Sequence, residues 1–321
     1  KEALCEDVIY ALQRLVKGLA SSRQGARQGY ATALAELLAL LPVISLKEVF
    51  VLIKNHLHSK TSKQEEREHL FGQVFAYIAV VQSGRLQAED GKYTVNVLAK
   101  LKAFADKKSY LQEVCTQAAA DLICMSSKET FSEHIWPSLK TDLSCGWEGC
   151  PPHVLQILLT CHRCFPDVVK SKFLKTHWQH KDILHRGNLG HIVKILTEST
   201  IISHPNVNHV CDEVLKLVLQ DQEKLAVFCQ QVIDDGLLLA RQECRYLALR
   251  LVERLLRECS AQSVDHVISP AVVKVFLNSL ANKQHFLHEA SKKFSTTLPL
   301  VVKEIQDGVT QVEIVKCLIS K

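Results

Sequence analysis

The stretch Ala11–Tyr30, ALQRLVKGLASSRQGARQGY, reads as a helix, a turn of small residues and the opening of a second helix. Val8, Ile9, Leu12, Leu15, Val16 and Leu19 recur at three- and four-residue spacing, which predicts one buried face on the first helix. Arg14 and Lys17 lie three apart on its other side and are neighbours there. Ser21 and Ser22 supply the turn and an N-cap. Arg23 and Arg27 then open the next helix, four apart, where the helix dipole is positive and cations are disfavoured. Such cations need a reason. Arg14, Lys17, Arg23 and Arg27 are therefore the candidate partner- or nucleic-acid-binding patch. The competing structural reading is that Arg23 and Arg27 bind carbonyls or carboxylates and lock the first repeat.

Working outward, the same periodicity predicts helices over 6–20, 25–41, 45–58, 63–83, 88–106, 109–125, 128–143 and 151–165. It continues over 167–185, 187–199, 205–220, 222–234, 240–259, 268–281, 284–306 and 309–320. Pro42 stops one helix, and Ser45 with Glu48 has the form of a capping box for the next. Ser83–Gly84 and Gly91 bracket a break. Cys145 to Pro152, CGWEGCPP, is a connecting loop. Taken in pairs, the helices recur about every 40 residues, the period of armadillo and HEAT arrays. The fold expected is all-α, an armadillo/HEAT-like α-solenoid of stacked antiparallel helix pairs. Its parts are repeats over 1–144, a loop over 145–152 and further repeats of the same array over 153–321.

Composition agrees with helices and disfavours a β-sandwich. Gly 12 and Pro 8 in 321 residues are too few for many tight turns, and aromatic residues are only 6%. The net charge of +5, from 39 basic and 34 acidic residues, is too small to argue nucleic-acid binding by itself. No apolar run approaches the roughly 20 residues that span a bilayer, so no membrane partner is expected. The opening KEALCED has neither a methionine nor a signal-peptide pattern, and the chain reads as a piece of a longer protein. Cys115, Cys124, Cys211, Cys229, Cys244, Cys259 and Cys317 fall among apolar helical positions, as small buried hydrophobes in a reducing compartment do.

Cys145, Cys150, Cys161 and Cys164, with His153 and His162 among them, are the only candidate metal ligands of note. Leu155–Leu159 runs as a helix directly into Cys161, which makes packing cysteines the favoured reading and a zinc site the weaker one. His177, His180 and His185 near Trp178 and Asp182 form no metal or base motif. There is no GxSxG elbow and no GxxxxGK[ST] cradle, and Asp234–Asp235 has no strand to hold it as a metal-binding pair. No enzyme activity and no cofactor are expected. Further basic residues cluster at Lys100, Lys102, Lys107 and Lys108, and at Lys170, Lys172 and Lys175. On helix 240–259, Arg241, Arg245, Arg250, Arg254 and Arg257 interleave with Glu243, Glu253 and Glu258 and read as a solvated face.

Tyr10-Ala11-Leu12-x-Arg14-Leu15-x-x-Gly18-Leu19 and Ser21-Ser22-Arg23-x-x-Ala26-Arg27-x-Gly29-Tyr30 resemble the Myb-binding protein 1A family. That family includes the yeast protein named as a fifth DNA polymerase, DNA polymerase phi. The helix ATALAELLALL and the tract from Phe71-Gly72 through Gln82-Ser83-Gly84-Arg85-Leu86 are similar too, and the likeness weakens after about the first 90 residues. The cysteine-rich tract 145–164 is not part of it. The resemblance implies a nucleolar and nuclear protein with a helical-repeat body, linked to ribosomal RNA gene transcription and ribosome biogenesis. It implies transcription factors and pre-ribosome assembly factors as partners, co-regulation by protein contacts, and no catalytic motif to carry over. The alternative is direct rRNA or rDNA binding along basic edges of the solenoid.

Overall fold

The computed structural model describes residues 5–58 and 62–320, so Lys1–Leu4 of the opening lie outside the described residues. Every regular element among the described residues is helical. The chain forms two compact units, Lys1–Thr141 and Asp142–Lys321.

The first unit holds α1 (Glu6–Gly18), α2 (Gln24–Leu40), α3 (Leu46–His56), α4 (Lys63–Gln82), α5 (Gly91–Lys107) and α6 (Ser109–Met125). It ends with α7 (Lys128–Thr130), a π-helical turn over Phe131–Ile135 and α8 (Trp136–Leu139). Helix α2 packs against α1 and α4, α4 also packs against α6, and α5 and α6 form a hairpin across the single residue Lys108. Leu12, Val16 and Leu19 are buried as the periodicity requires, together with Leu34 and Leu38 of α2 and Val74 and Val80 of α4. Local chemistry sets the ends. Ser62 Oγ accepts from Glu65 N at 3.2 Å and Asp90 Oδ1 from Lys92 N at 3.0 Å, which delays α5 until Gly91. Gly84 supplies a left-handed residue after α4, at φ 70°. Two expected caps differ. Ser45 precedes α3 without a side-chain bond, and the N-cap of α2 is Arg23, whose N–H is held by Ser21 Oγ at 3.3 Å.

The second unit holds α9 (Pro152–Cys164), α10 (Ser171–Trp178), α11 (Leu189–Ser203), α12 (His209–Val218) and α13 (Gln222–Phe228), which runs into a π-helical turn over Cys229–Asp234. Then come α14 (Gln242–Glu258), the short α15 (Val264–Val267), α16 (Pro270–Ala281), α17 (His288–Glu304) and α18 (Gly308–Ser320). Helix α9 packs on α12, and α14 on α17. The helix expected over 167–185 is much shorter. It stops at Trp178 because Gln179 turns left-handed at φ 69°, and the chain is then tied down by a tryptophan hub. Trp147 Nε1 donates to Trp178 O at 3.1 Å, Trp178 Nε1 donates to Leu143 O at 3.0 Å, and the two rings meet edge-on at 4.9 Å. Asn188 Nδ2 donates to the carbonyls of Trp178, Asp182 and Ile183. The CGWEGC loop is thus an ordered connector, with Gly146 and Gly149 at φ 71° and 72°.

Candidate functional site

The residues that carried the family resemblance converge in the first unit. Gly18 lies so close to the Tyr30 ring that a Cβ there would sit 2.6 Å from it, which seats α1 on α2. Gly72 lets α4 approach the end of α1, and a Cβ there would stand 3.1 Å from Leu19 O and 3.2 Å from Ala20 N. Arg27 turns inward. Its Nη1 donates to Ser21 O at 2.7 Å and Ser22 O at 3.2 Å, and its Cζ lies 5.0 Å from the centre of the Phe71 ring. Those acceptors explain why a cation is held against the α2 dipole.

Arg85 repeats the device on a larger scale. Its guanidinium donates to four carbonyls around the α2–α3 turn: Leu38 at 3.1 Å, Leu41 at 3.2 Å, Pro42 at 3.0 Å and Ile44 at 3.1 Å. The last turn of α2 leaves carbonyls without helical partners, and Pro42 has no N–H to offer, so a long forked donor takes the place of a cap. Glu89 lies 3.9 Å from the same guanidinium. Arg14, Lys17 and Arg23 are exposed, and Arg27 is half-buried, so the predicted quartet divides into three surface cations and one structural tie.

The other candidate groups are distributed as follows. Cys145 is exposed, Cys150 and Cys161 are buried and Cys164 is half-buried. Among the described residues no three His, Cys, Asp or Glu side chains are grouped to hold a metal ion. Burial pushes the Cys150 thiol up to about 12, as it does those of Cys115, Cys211 and Cys229. The rings of His180 and His185 stack at 3.9 Å, and His177 packs on Phe173 at 4.9 Å. Lys107 pairs with Glu66 at 3.6 Å, while Lys100, Lys102, Lys108, Lys170, Lys172 and Lys175 are exposed. Asp234 accepts from Ser269 Oγ at 2.8 Å and Asp235 from Gln230 Nε2 at 3.1 Å.

Helix α14 corrects the reading of a solvated face. Arg250 and Arg257 flank Glu253, which is buried, and Arg257 also reaches Glu304 of α17. Arg254 binds Asp212 of α12, and Arg241 donates to Thr197 O and Thr200 Oγ1 of α11, each at 2.9 Å. On α12 the buried Glu213 is held by Arg163 of α9 at 2.9 Å and by Lys216 at 2.7 Å. These arginines tie together helices of the second unit that are not neighbours in the chain, α9 to α12, α11 and α12 to α14, and α14 to α17. Burying a carboxylate is tolerable only with such partners.

A different edge of this unit is apolar. Ile201 and Ile202 at the end of α11 are 70% and 51% exposed, and Leu239, just before α14, is 73% exposed. The Arg241 bonds bring the start of α14 to α11, and His204 meets Tyr246 edge-on at 5.0 Å and stacks on Phe286, itself 47% exposed, at 6.4 Å. Among the described residues no single helix is long and apolar enough to cross a membrane.

Comparison with known proteins gives this arrangement a lineage. The chain is 27% identical over 275 residues to the Myb-binding protein 1A-like protein of Danio rerio, covering 84% of this chain and 21% of that protein. It is 26% identical over 321 residues to the rDNA transcriptional regulator pol5 of Schizosaccharomyces pombe, covering 93% and 33% respectively. Myb-binding protein 1A of Rattus norvegicus is 26% identical over 298 residues, covering 90% and 22%. The chain thus spans between about a fifth and a third of the length of these relatives. No solved structure matches it. The profile of the DNA polymerase phi family matches residues 10–321, nearly the whole chain including the Gly18, Arg27, Gly72 and Arg85 positions, and the chain belongs to that family.

Proposed function

We propose that this chain is a non-catalytic helical scaffold of a nuclear, nucleolar regulator of ribosomal RNA gene transcription, working through protein contacts. One observation carries the contact reading: the exposed apolar edge of Ile201, Ile202, Leu239 and Phe286, on a unit whose α12 and α14 charges are paired with one another and with neighbouring helices. Edges of this kind, apolar and rimmed by polar residues, mark sites of protein association. The relatives' names support the biological setting, since one is called an rDNA transcriptional regulator and others Myb-binding proteins. The partners we propose are transcription factors and pre-ribosome assembly factors, which links the chain to ribosome biogenesis. The packing of α2 on α4 and of α4 on α6 supports a solenoid of stacked helix pairs, a form that offers long edges without a pocket. Arg14, Lys17 and Arg23 are the surface cations of the predicted patch available to a partner, with Arg27 fixing the turn between them.

The test is run-on transcription of rRNA genes in cells whose own protein is replaced by the whole protein carrying Ile201→Asp and Leu239→Asp. The expected result is altered rRNA gene output with undiminished protein level. Output identical to wild type overturns the contact reading. Template-directed nucleotide incorporation by the purified protein would overturn its non-catalytic part.

A further inference from the structure

A second feature of the first unit has nothing to do with the apolar edge. Arg67 of α4 lies with its Cζ 5.6 Å from the centre of the Phe71 ring and 5.6 Å from that of Tyr110, the second residue of α6. The two rings are 5.5 Å apart and inclined at 37°, and Arg27 covers Phe71 from α2 at 5.0 Å. Planar cations and rings therefore alternate across α2, α4 and α6. The inner end of this series is fixed by the Arg27 bonds to Ser21 and Ser22 and by the close approach at Gly72.

The outer end is open. Tyr110 is 49% exposed and Arg67 is exposed. Among the described residues Arg67 has no carboxylate or carbonyl acceptor, in contrast to Arg27, Arg85, Arg163, Arg250, Arg254 and Arg257. Its guanidinium packs against two rings on a side chain that is exposed. Lys63 lies one turn before Arg67 on the same face of α4, and Lys108 immediately precedes α6. An aromatic face beside fork-shaped donors, on helices that also carry Lys63 and Lys108, suits an unpaired base and its phosphate. In a duplex the bases are already stacked inside and cannot reach such a ring. The surface is a platform of planar groups, which favours a base over the side chain of an acidic peptide.

We propose that Arg67 and Tyr110 form a stacking site for single-stranded nucleic acid, with a base on the open part of the Tyr110 ring and the adjoining phosphate on Arg67. The site is independent of the protein-contact edge, and its failure leaves that reading standing.

The test is fluorescence anisotropy of the 321-residue chain with labelled oligouridine, oligothymidine and a mixed-sequence duplex, between about 50 and 200 mM salt. Oligouridine is expected to bind more tightly than duplex. Tyr110→Ala is expected to weaken it about 5- to 100-fold, in line with roughly 1–3 kcal/mol for one stacked base, whereas Tyr110→Phe keeps the affinity. Arg67→Ala is expected to weaken binding and lower the salt slope by about one phosphate. Arg67→Lys, which keeps the charge but not the planar fork, should fall between. Thermal unfolding is measured alongside, and Tyr110→Phe and Arg67→Lys keep the test decisive if an alanine variant unfolds. Equal affinity for RNA and DNA single strands supports the site, and a preference for oligouridine assigns it to RNA. Absence of binding by the wild type, equal binding of duplex, indifference to Tyr110→Ala in a folded protein, or full displacement by an oligoglutamate peptide each overturns the proposal.

Discussion

Replacing Arg85 with alanine removes the one donor shared by Leu38 O, Leu41 O, Pro42 O and Ile44 O. The Pro42 carbonyl is exposed at its contact, and water replaces the guanidinium there. The bonds to Leu38, Leu41 and Ile44 are partly buried. Leaving a buried acceptor unmade costs about 1–3 kcal/mol, and the low end of that range suits sites that water can partly reach. Leu41 O keeps the N–H of Ile44 at 3.1 Å, so the Leu38 and Ile44 carbonyls are the two left unmade, a loss of about 2–4 kcal/mol. For a unit of this size each kcal/mol lowers the melting temperature by about 2–4 °C, so the first unit should melt on the order of 10 °C earlier. Calorimetry of the whole chain, with amide exchange read at Leu41–Leu46, measures the loss and places it at the α2–α3 turn. Arg85→Lys offers a point charge without the fork and should recover less than half. A fall under about 2 °C for Arg85→Ala would refute the view that this side chain stands in for a helix cap.

Gly72→Ala should destabilise the first unit by about 1–3 kcal/mol, because the added methyl meets Leu19 O and Ala20 N, which are backbone and cannot swing aside; urea unfolding of the variant measures this. In the second unit, burial holds the His162 imidazole below its ordinary value, with Lys224 reinforcing the shift and Asp182 opposing it. The unfolded chain then binds the proton more readily, so this contribution is fully present above the unfolded value near 6.5 and is lost as pH falls below it. Melting temperatures between pH 7.5 and 5.5 should decline for the wild type and decline less for His162→Gln. Identical slopes would remove His162 from the account.

The helices themselves were legible because their apolar residues recur at helical spacing, as Leu12, Val16 and Leu19 do. The quartet Arg14, Lys17, Arg23 and Arg27 was legible only as a charge pattern. Nothing in the sequence separates Arg27 from the others, because its partners are carbonyls, and every residue has one. The same holds for Arg85. The arginines of α14 depart from the solvated face that their spacing suggests for a related reason. Glu253 and Arg257 are four apart and visible as a pair, but the partners of Arg254 and Arg257 lie 42 and 47 residues away on other helices. The sequence carries no sign that Arg67, Phe71 and Tyr110 meet, because Tyr110 reaches α4 only through the packing of α6. The glycine at 72 was visible as part of the family likeness, but its reason, a close backbone crossing, exists only in three dimensions.

Among the described residues each unit contains one π-helical turn, Phe131–Ile135 in the first and Cys229–Asp234 in the second. Both lie on buried residues: Phe131 and Ile135 in one, Cys229, Val232 and Ile233 in the other. Such a turn houses one residue more than the α-helical count without opening a loop. Each extra residue advances the angular phase of the helix by about 100°, so a tally of apolar positions carried through it lands on the wrong side. Single-residue insertions can therefore be stored inside helices of this fold, and alignments among distant members should open their gaps there as well as between helices.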